Sequence, residues 1–174
     1  MPDTFIKIAS VTVGSGGAAT MSFSSIPSTY TDLKLVVSAR TTEANWYSNM
    51  LMNFNGSSAA NYSFLRFIGI GSGTSTDGPF TSQTTIYAGE VDGSTATSNT
   101  FGSTDIYMPN YAGSTYKSVS IDKVMENNSA SNNILGFVAA LWSNTSAINS
   151  ITLTPASGNF VQYSTATLYG IKSS

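Results

Sequence analysis

Carboxylates are the main chemical resource of this chain. It has nine Asp and Glu residues, seven Lys and Arg, and neither His nor Cys. A Ser-His-Asp or Cys-His site cannot be built without the base or the thiol, and ordinary zinc sites lose their ligands too. Glycoside hydrolysis needs only two carboxyl groups, set ~5–9.5 Å apart. Glu90 and Asp92, at i and i+2 of an apparent strand, fit that spacing, and Asp122 and Glu126 flank a predicted turn. The plainer reading of all four is solvated strand-end residues. A sugar-cleaving site would also want aromatic platforms, and Trp46 and Trp142 lie far from these acids in sequence. Asp77, Glu90 and Asp92 with loop carbonyls are a weaker set for a hard cation, and no Asp-x-Asp-x-Asp-Gly loop exists. Gly69-Ile70-Gly71-Ser72-Gly73 has phosphate-loop glycines but no following helix to meet a phosphate, so they read as turn residues. The sequence therefore predicts no catalytic residue, no cofactor and no metal.

The elements that would position these residues are strands. Leu33, Leu35, Val37 and Ala39 alternate with Asp32, Lys34, Val36 and Ser38, the period-two mark of a half-buried strand. Val119 and Ile121 alternate with Ser118, Ser120 and Asp122 in the same way. Tyr62 to Gly69 and Ile134 to Trp142 are apolar on both faces and are expected to be covered on both sides. Asn55-Gly56 is a strong turn dipeptide. Gly69 to Ser82 reads as the longest loop, a protrusion, and Gly93 to Asn99 as another polar loop. Ten or so short strands at about 8–12-residue spacing, with no convincing amphipathic helix, predict an all-β, jelly-roll-like antiparallel sandwich. No composition break divides it, so residues 1–174 are expected to form one domain, with residues 1–8 either an N-terminal arm or the first strand.

Only 9% of residues are charged, the net charge is −2, and the few cations are scattered. Nucleic-acid surfaces need clustered Lys and Arg, so nucleic acid is not an expected partner. Low charge instead suits close packing against neighbouring subunits. Tyr is enriched at interfaces. Tyr111, in a Pro-Asn-Tyr-Ala-Gly turn, is the best interface candidate, with a core-plug role equally open; Trp46 and Tyr47 join it as candidate interface residues. No stretch approaches the ~20 apolar residues of a membrane span. Met1 to Lys7 lacks the order of a signal peptide, so synthesis in the cytoplasm and a chain complete as written are expected, with no membrane partner.

Several phrases stand together as a set: Phe23 to Leu33, with Ile26-Pro27-Ser28-Thr29-Tyr30 at its centre; Phe54-Asn55-Gly56 followed by Asn61-Tyr62-Ser63; Phe101-Gly102-Ser103 with Ile106 to Tyr111; Leu141-Trp142-Ser143-Asn144 with Ile148 to Leu153; and Gly158 to Ile171. In this order they resemble small β-sandwich virion proteins of tailed bacteriophages, particularly those of cyanobacteria. The resemblance implies a non-enzymatic structural role on the particle, either as a capsid cement (decoration) protein or in a tail fibre that recognises a host surface glycan. A fibre usually needs a shaft or a coiled coil, and no heptads or repeats are present. The expectation is therefore a cement protein on the capsid surface, a homotrimer at threefold positions, partnered by the major capsid protein and stabilising the assembled shell by linkage. Under the fibre alternative, a carbohydrate pocket is expected in the Gly69–Ser82 or Gly93–Asn99 loops.

Overall fold

The computed structural model describes residues 4–71, 73–129 and 131–172. They form twelve strands: β1 (Phe5–Thr12), β2 (Met21–Phe23), β3 (Asp32–Ala39), β4 (Tyr47–Phe54), β5 (Tyr62–Ile70), β6 (Gly73–Gln83), β7 (Ile86–Asp92), β8 (Gly102–Met108), β9 (Lys117–Glu126), β10 (Asn133–Trp142), β11 (Ile151–Pro155) and β12 (Thr165–Ile171). Among the described residues no helix is long and apolar enough to cross a membrane.

The strands make two antiparallel sheets. The larger runs β1-β12-β3-β8-β9-β10-β5-β6 and the smaller β2-β11-β4-β7. Four nested pairs, β5–β6, β4–β7, β3–β8 and β2–β11, wind the chain back on itself, and the strands cross between sheets at each step except the β5–β6 turn. This is the jelly-roll plan expected from the sequence. Two additions widen one side of it. The β9–β10 hairpin is inserted between β8 and β5, and β12 with β1 extends the sheet beyond β3. Phe5 to Ile8 belong to the first strand, paired with β12; Met1 to Asp3 lie outside the described residues.

The inward rows carry the core. Leu33, Leu35, Val37 and Ala39 of β3 are buried, as are Met50, Met52 and Phe54 of β4 facing them from the other sheet. Burying a large aliphatic or aromatic side chain contributes roughly 1.5–3 kcal/mol, so the two alternating rows are enough to fix strand register: a one-residue slip would turn each row to solvent. Trp142, Tyr62 and Phe54 close one region of the core, with ring centroids 5.5–6.3 Å apart. The Tyr62 hydroxyl accepts from the Phe54 amide at 3.0 Å, which gives its polar tip a partner inside.

Two strand expectations need correction. Most of the segment read as a Gly69–Ser82 loop is strand β6, paired with β5. Its side chains are exposed almost throughout, so no buried row imposes an apolar pattern, and the backbone ladder holds it instead. The second concerns β5 and β10, which are covered on one face only. Leu65 and Phe67 of β5 and Leu135 and Phe137 of β10 lie on the open side of the large sheet.

Candidate functional site

Two places could carry function: a seam of buried charge between the sheets, and the open apolar face of the large sheet.

The seam is built on β7. Every residue of this strand is buried, because it lies at the edge of the small sheet and packs over β8, β9, β10 and β5. Its pairing with β4 is broken by a register shift between Asn49 and Leu51, and Gly89 takes a positive φ of 111° there. The irregularity lets Tyr87, Glu90 and Asp92 all be enclosed. From the large sheet, β9 points Lys117, Val119, Ile121, Lys123 and Met125 inward, so its alternation places two lysines in the interior.

Each buried charge has a distinct solution. Lys117 donates to the carbonyl oxygens of Gly113 (2.6 Å), Thr115 and Thr145 (3.4 Å), an ammonium held by backbone dipoles at one end of the sandwich; burial pushes its pKa down. Lys123 forms an ion pair with Glu90 and donates to the Tyr87 hydroxyl at 3.1 Å. Burial first, then the Arg66 charge, pushes its ammonium down to about 7. Arg66 stacks over the Tyr87 and Phe80 rings and pairs with Asp77 at 2.6 Å. Burial raises the Tyr87 phenol, so it stays protonated.

Arg40 spends its guanidinium on the β7–β8 loop. It donates to the carbonyls of Thr97 (2.7 Å), Thr100 (3.2 Å), Ser94 (3.2 Å) and Ala96 (3.0 Å) and to the Thr100 hydroxyl (3.3 Å). The polar loop expected at Gly93 to Asn99 is therefore a wrap around a buried cation. Asp92 lies beside it, fully buried, and among the described residues neither carboxylate oxygen has a hydrogen-bond partner within 3.5 Å. Burial pushes its pKa up to about 6, against the nearby Arg40 charge and Thr100 hydroxyl, with Glu126 adding to the rise.

Two of the four expected carboxylates depart from their plain reading as solvated strand-end residues. Glu90 and Asp92 are not solvated strand ends; both are interior, because β7 is covered on all sides. Asp122 and Glu126 both point outward from β9; Glu126 is its last residue and adjoins the β9–β10 turn as expected, whereas Asp122 lies within the strand. Asp77 is engaged by Arg66. Among the described residues no group of three or more Asp and Glu side chains gathers where a metal ion could be held.

The aromatic candidates are placed as follows. Tyr111 is fully buried and its hydroxyl donates to the Pro27 carbonyl, a plug in the sandwich. Trp46 and Tyr47 meet edge to face at 4.9 Å and pack, partly buried, on Ile68, Met125 and Ile134. They cap a small satellite core where the inner face of the inserted hairpin extends beyond β7.

The residues that sequence reasoning missed as surface lie on the open face. Phe67 sits directly opposite Phe137, Leu65 opposite Ala139, and Leu135 opposite Val124. Phe137 is 55% exposed, Val124 53%, Leu135 50%, Leu65 48% and Phe67 40%. These side chains form one contiguous apolar patch across β9, β10 and β5. The signal lies in the sequence: both runs are apolar on both faces, the pattern of a strand covered twice. At the end of this patch, Phe67, Thr74, Val124, Glu126 and Leu135 line a cleft of about 420 Å³.

Compared with known proteins, the chain matches no family model, no curated protein and no solved structure.

Proposed function

We propose that this protein is a non-enzymatic structural subunit of a virus particle, a cement protein that binds the assembled head of a tailed bacteriophage and stabilises it, acting as a homotrimer on the capsid surface. One observation carries the reading: β5 and β10 are apolar on both faces, and the chain covers only one. An exposed apolar patch of this continuity is uncommon on a free monomer and marks a surface meant to be covered. The order of the phrases between Phe23 and Ile171 supports the phage setting. Low charge supports dense packing, since a net charge of −2 opposes close neighbours weakly. Most charges of the seam are buried between the sheets.

The mechanism is linkage. A subunit that binds the closed lattice and not its free components stabilises the lattice by its binding free energy. Partners are the major capsid protein and further copies of this chain.

The test compares particles with and without the protein under heat and osmotic shock, and measures rebinding of purified variants. Phe137→Lys puts a charge in the centre of the patch and should reduce particle binding at least tenfold. Val36→Lys, at a position 39% exposed on the outer face of β3 in the same sheet, should not. Equal resistance of particles lacking the protein would remove the basis of the proposal.

A second reading has the cleft in its favour. Phe67 offers an aromatic platform and Glu126 a carboxylate acceptor at its rim, which suits a sugar. In that reading the protein is a tail module recognising a host surface glycan, and Phe67→Ala should abolish glycan binding.

A further inference from the structure

The arrangement around Lys123 is more constrained than an ion pair requires. Its stem passes between two glycines on different strands. A Cβ on Gly89 would stand 3.0 Å from Lys123 Cδ, and one on Gly136 would stand 2.7 Å from Cε. Both positions must lack a side chain for the lysine to reach across the seam. It ends against the Glu90 carboxylate from the opposite sheet, with side-chain exposures of 1% and 4%. The Tyr87 hydroxyl stands 3.1 Å from Nζ, and the Tyr87 ring lies beneath it at 4.7 Å. A buried Lys–Glu pair gains little over two packed apolar residues, because desolvation offsets the attraction. The glycine slot does something else: it fixes one amine against one carboxylate in an enclosed site.

We propose that Lys123 and Glu90 condense to an amide, a covalent staple joining β9 of the large sheet to β7 of the small one. In the enclosed site the ammonium passes a proton to the carboxylate, since two neutral groups are cheaper there than two ions. The neutral amine is then the nucleophile. A bond forms between Nζ and the Glu90 Cδ, and one Cδ–O bond breaks. That oxygen leaves as water, carrying its own proton and one passed directly from the adjoining nitrogen. No oxidant, cofactor or second substrate is needed. Position supplies the rate, since well-oriented intramolecular groups reach effective molarities on the order of 10⁵–10⁸ M, and the near-complete enclosure of both side chains restricts the water that would reverse the step. Formation of the bond does not depend on where the protein acts.

Intact-mass spectrometry of the purified, denatured full-length chain tests it. After incubation of the folded protein at neutral pH, the mass should be one water below that of the sequence. Trypsin should fail to cut after Lys123 and should yield a branched product joining residues 67–117 to residues 118–172. Glu90→Gln should reach the same product mass as the wild type, by losing ammonia instead of water. Glu90→Ala and Lys123→Arg should keep their full sequence masses. A wild-type chain with its full mass, cut normally after Lys123, overturns the proposal, and that result needs no variant to fold.

Discussion

Replacing Asp92 by asparagine should stabilise the protein at neutral pH. The side chain is fully buried, and its pKa rises from 3.8 to about 6, chiefly through desolvation. The unfolded chain ionises this carboxyl near 3.8, while the folded chain resists ionisation until about 6. Below the unfolded value both states are protonated and Asp92 costs nothing. As pH rises between the two values, the unfolded state gains from ionisation and the folded state does not. Above about 6 the full penalty applies: 2.2 pH units at 1.36 kcal/mol each, or about 3 kcal/mol against folding. That is a large share of a typical stability of about 5–15 kcal/mol. The Asp92→Asn substitution keeps the shape of the side chain and removes its charge. Urea unfolding followed by Trp fluorescence, from about pH 4 to about pH 8, should show the two proteins differing by a constant at the acid end, with the variant gaining up to ~3 kcal/mol above pH ~6. A difference that does not change with pH would refute the reasoning. So would a variant weaker at the alkaline end, since the Arg40 charge would then outweigh burial.

Two further substitutions test the packing of the seam. Arg40→Met removes five hydrogen bonds to the β7–β8 loop and should cost about 3 kcal/mol; hydrogen exchange should accelerate at residues 94–100 before the rest of the protein. Gly136→Ala places a methyl 2.6 Å from the Phe67 carbonyl oxygen as well as against Lys123; overpacking there should cost about 2 kcal/mol, read as a lower melting temperature.

The strands and the jelly-roll plan were legible because buried rows repeat with period two. In β3 and β9 the pattern named the inward residues directly, Leu33 through Ala39 and Val119 through Ile121. Strand β6 was not legible, since an exposed edge strand held by its backbone leaves no apolar signature. The inward position of Lys123 follows from the same alternation as Ile121, yet a lysine is normally read as outward. Only contact with Glu90, more than thirty residues earlier and on the other sheet, gives it a reason to be inside. The glycine slot was invisible for the same cause: Gly89 and Gly136 are distant in sequence and meet only through Lys123. Tyr111 shows the limit from the other side, because a turn-like phrase conceals a side chain that folds back into the core.

The unequal sheets explain why charge is buried where it is and why apolar surface is open where it is. Strands lie about 4.8 Å apart, so four of them span roughly half the width of eight. The inserted β9–β10 hairpin pushes β5 and β6 away from β8, and the small sheet cannot extend to cover them. Strand β7 lies over this widened region alone, as the last strand of its sheet. On this strand the buried Glu90 is met by Lys123 from the inserted hairpin itself, and Trp46 with Tyr47 seals the region beyond. The outward face of the same strands has no such closure within the chain. Beside it, the outer face of β3 and β8 is polar, with Lys34 bridged to Asp105 at 2.8 Å and the Tyr107 hydroxyl donating to Asp32. The contiguous apolar patch thus lies on the insertion and the strand it touches. A hairpin added only to enlarge the core would carry polar residues outward, as β3 and β8 do; one that carries Leu135 and Phe137 outward adds a face for a partner.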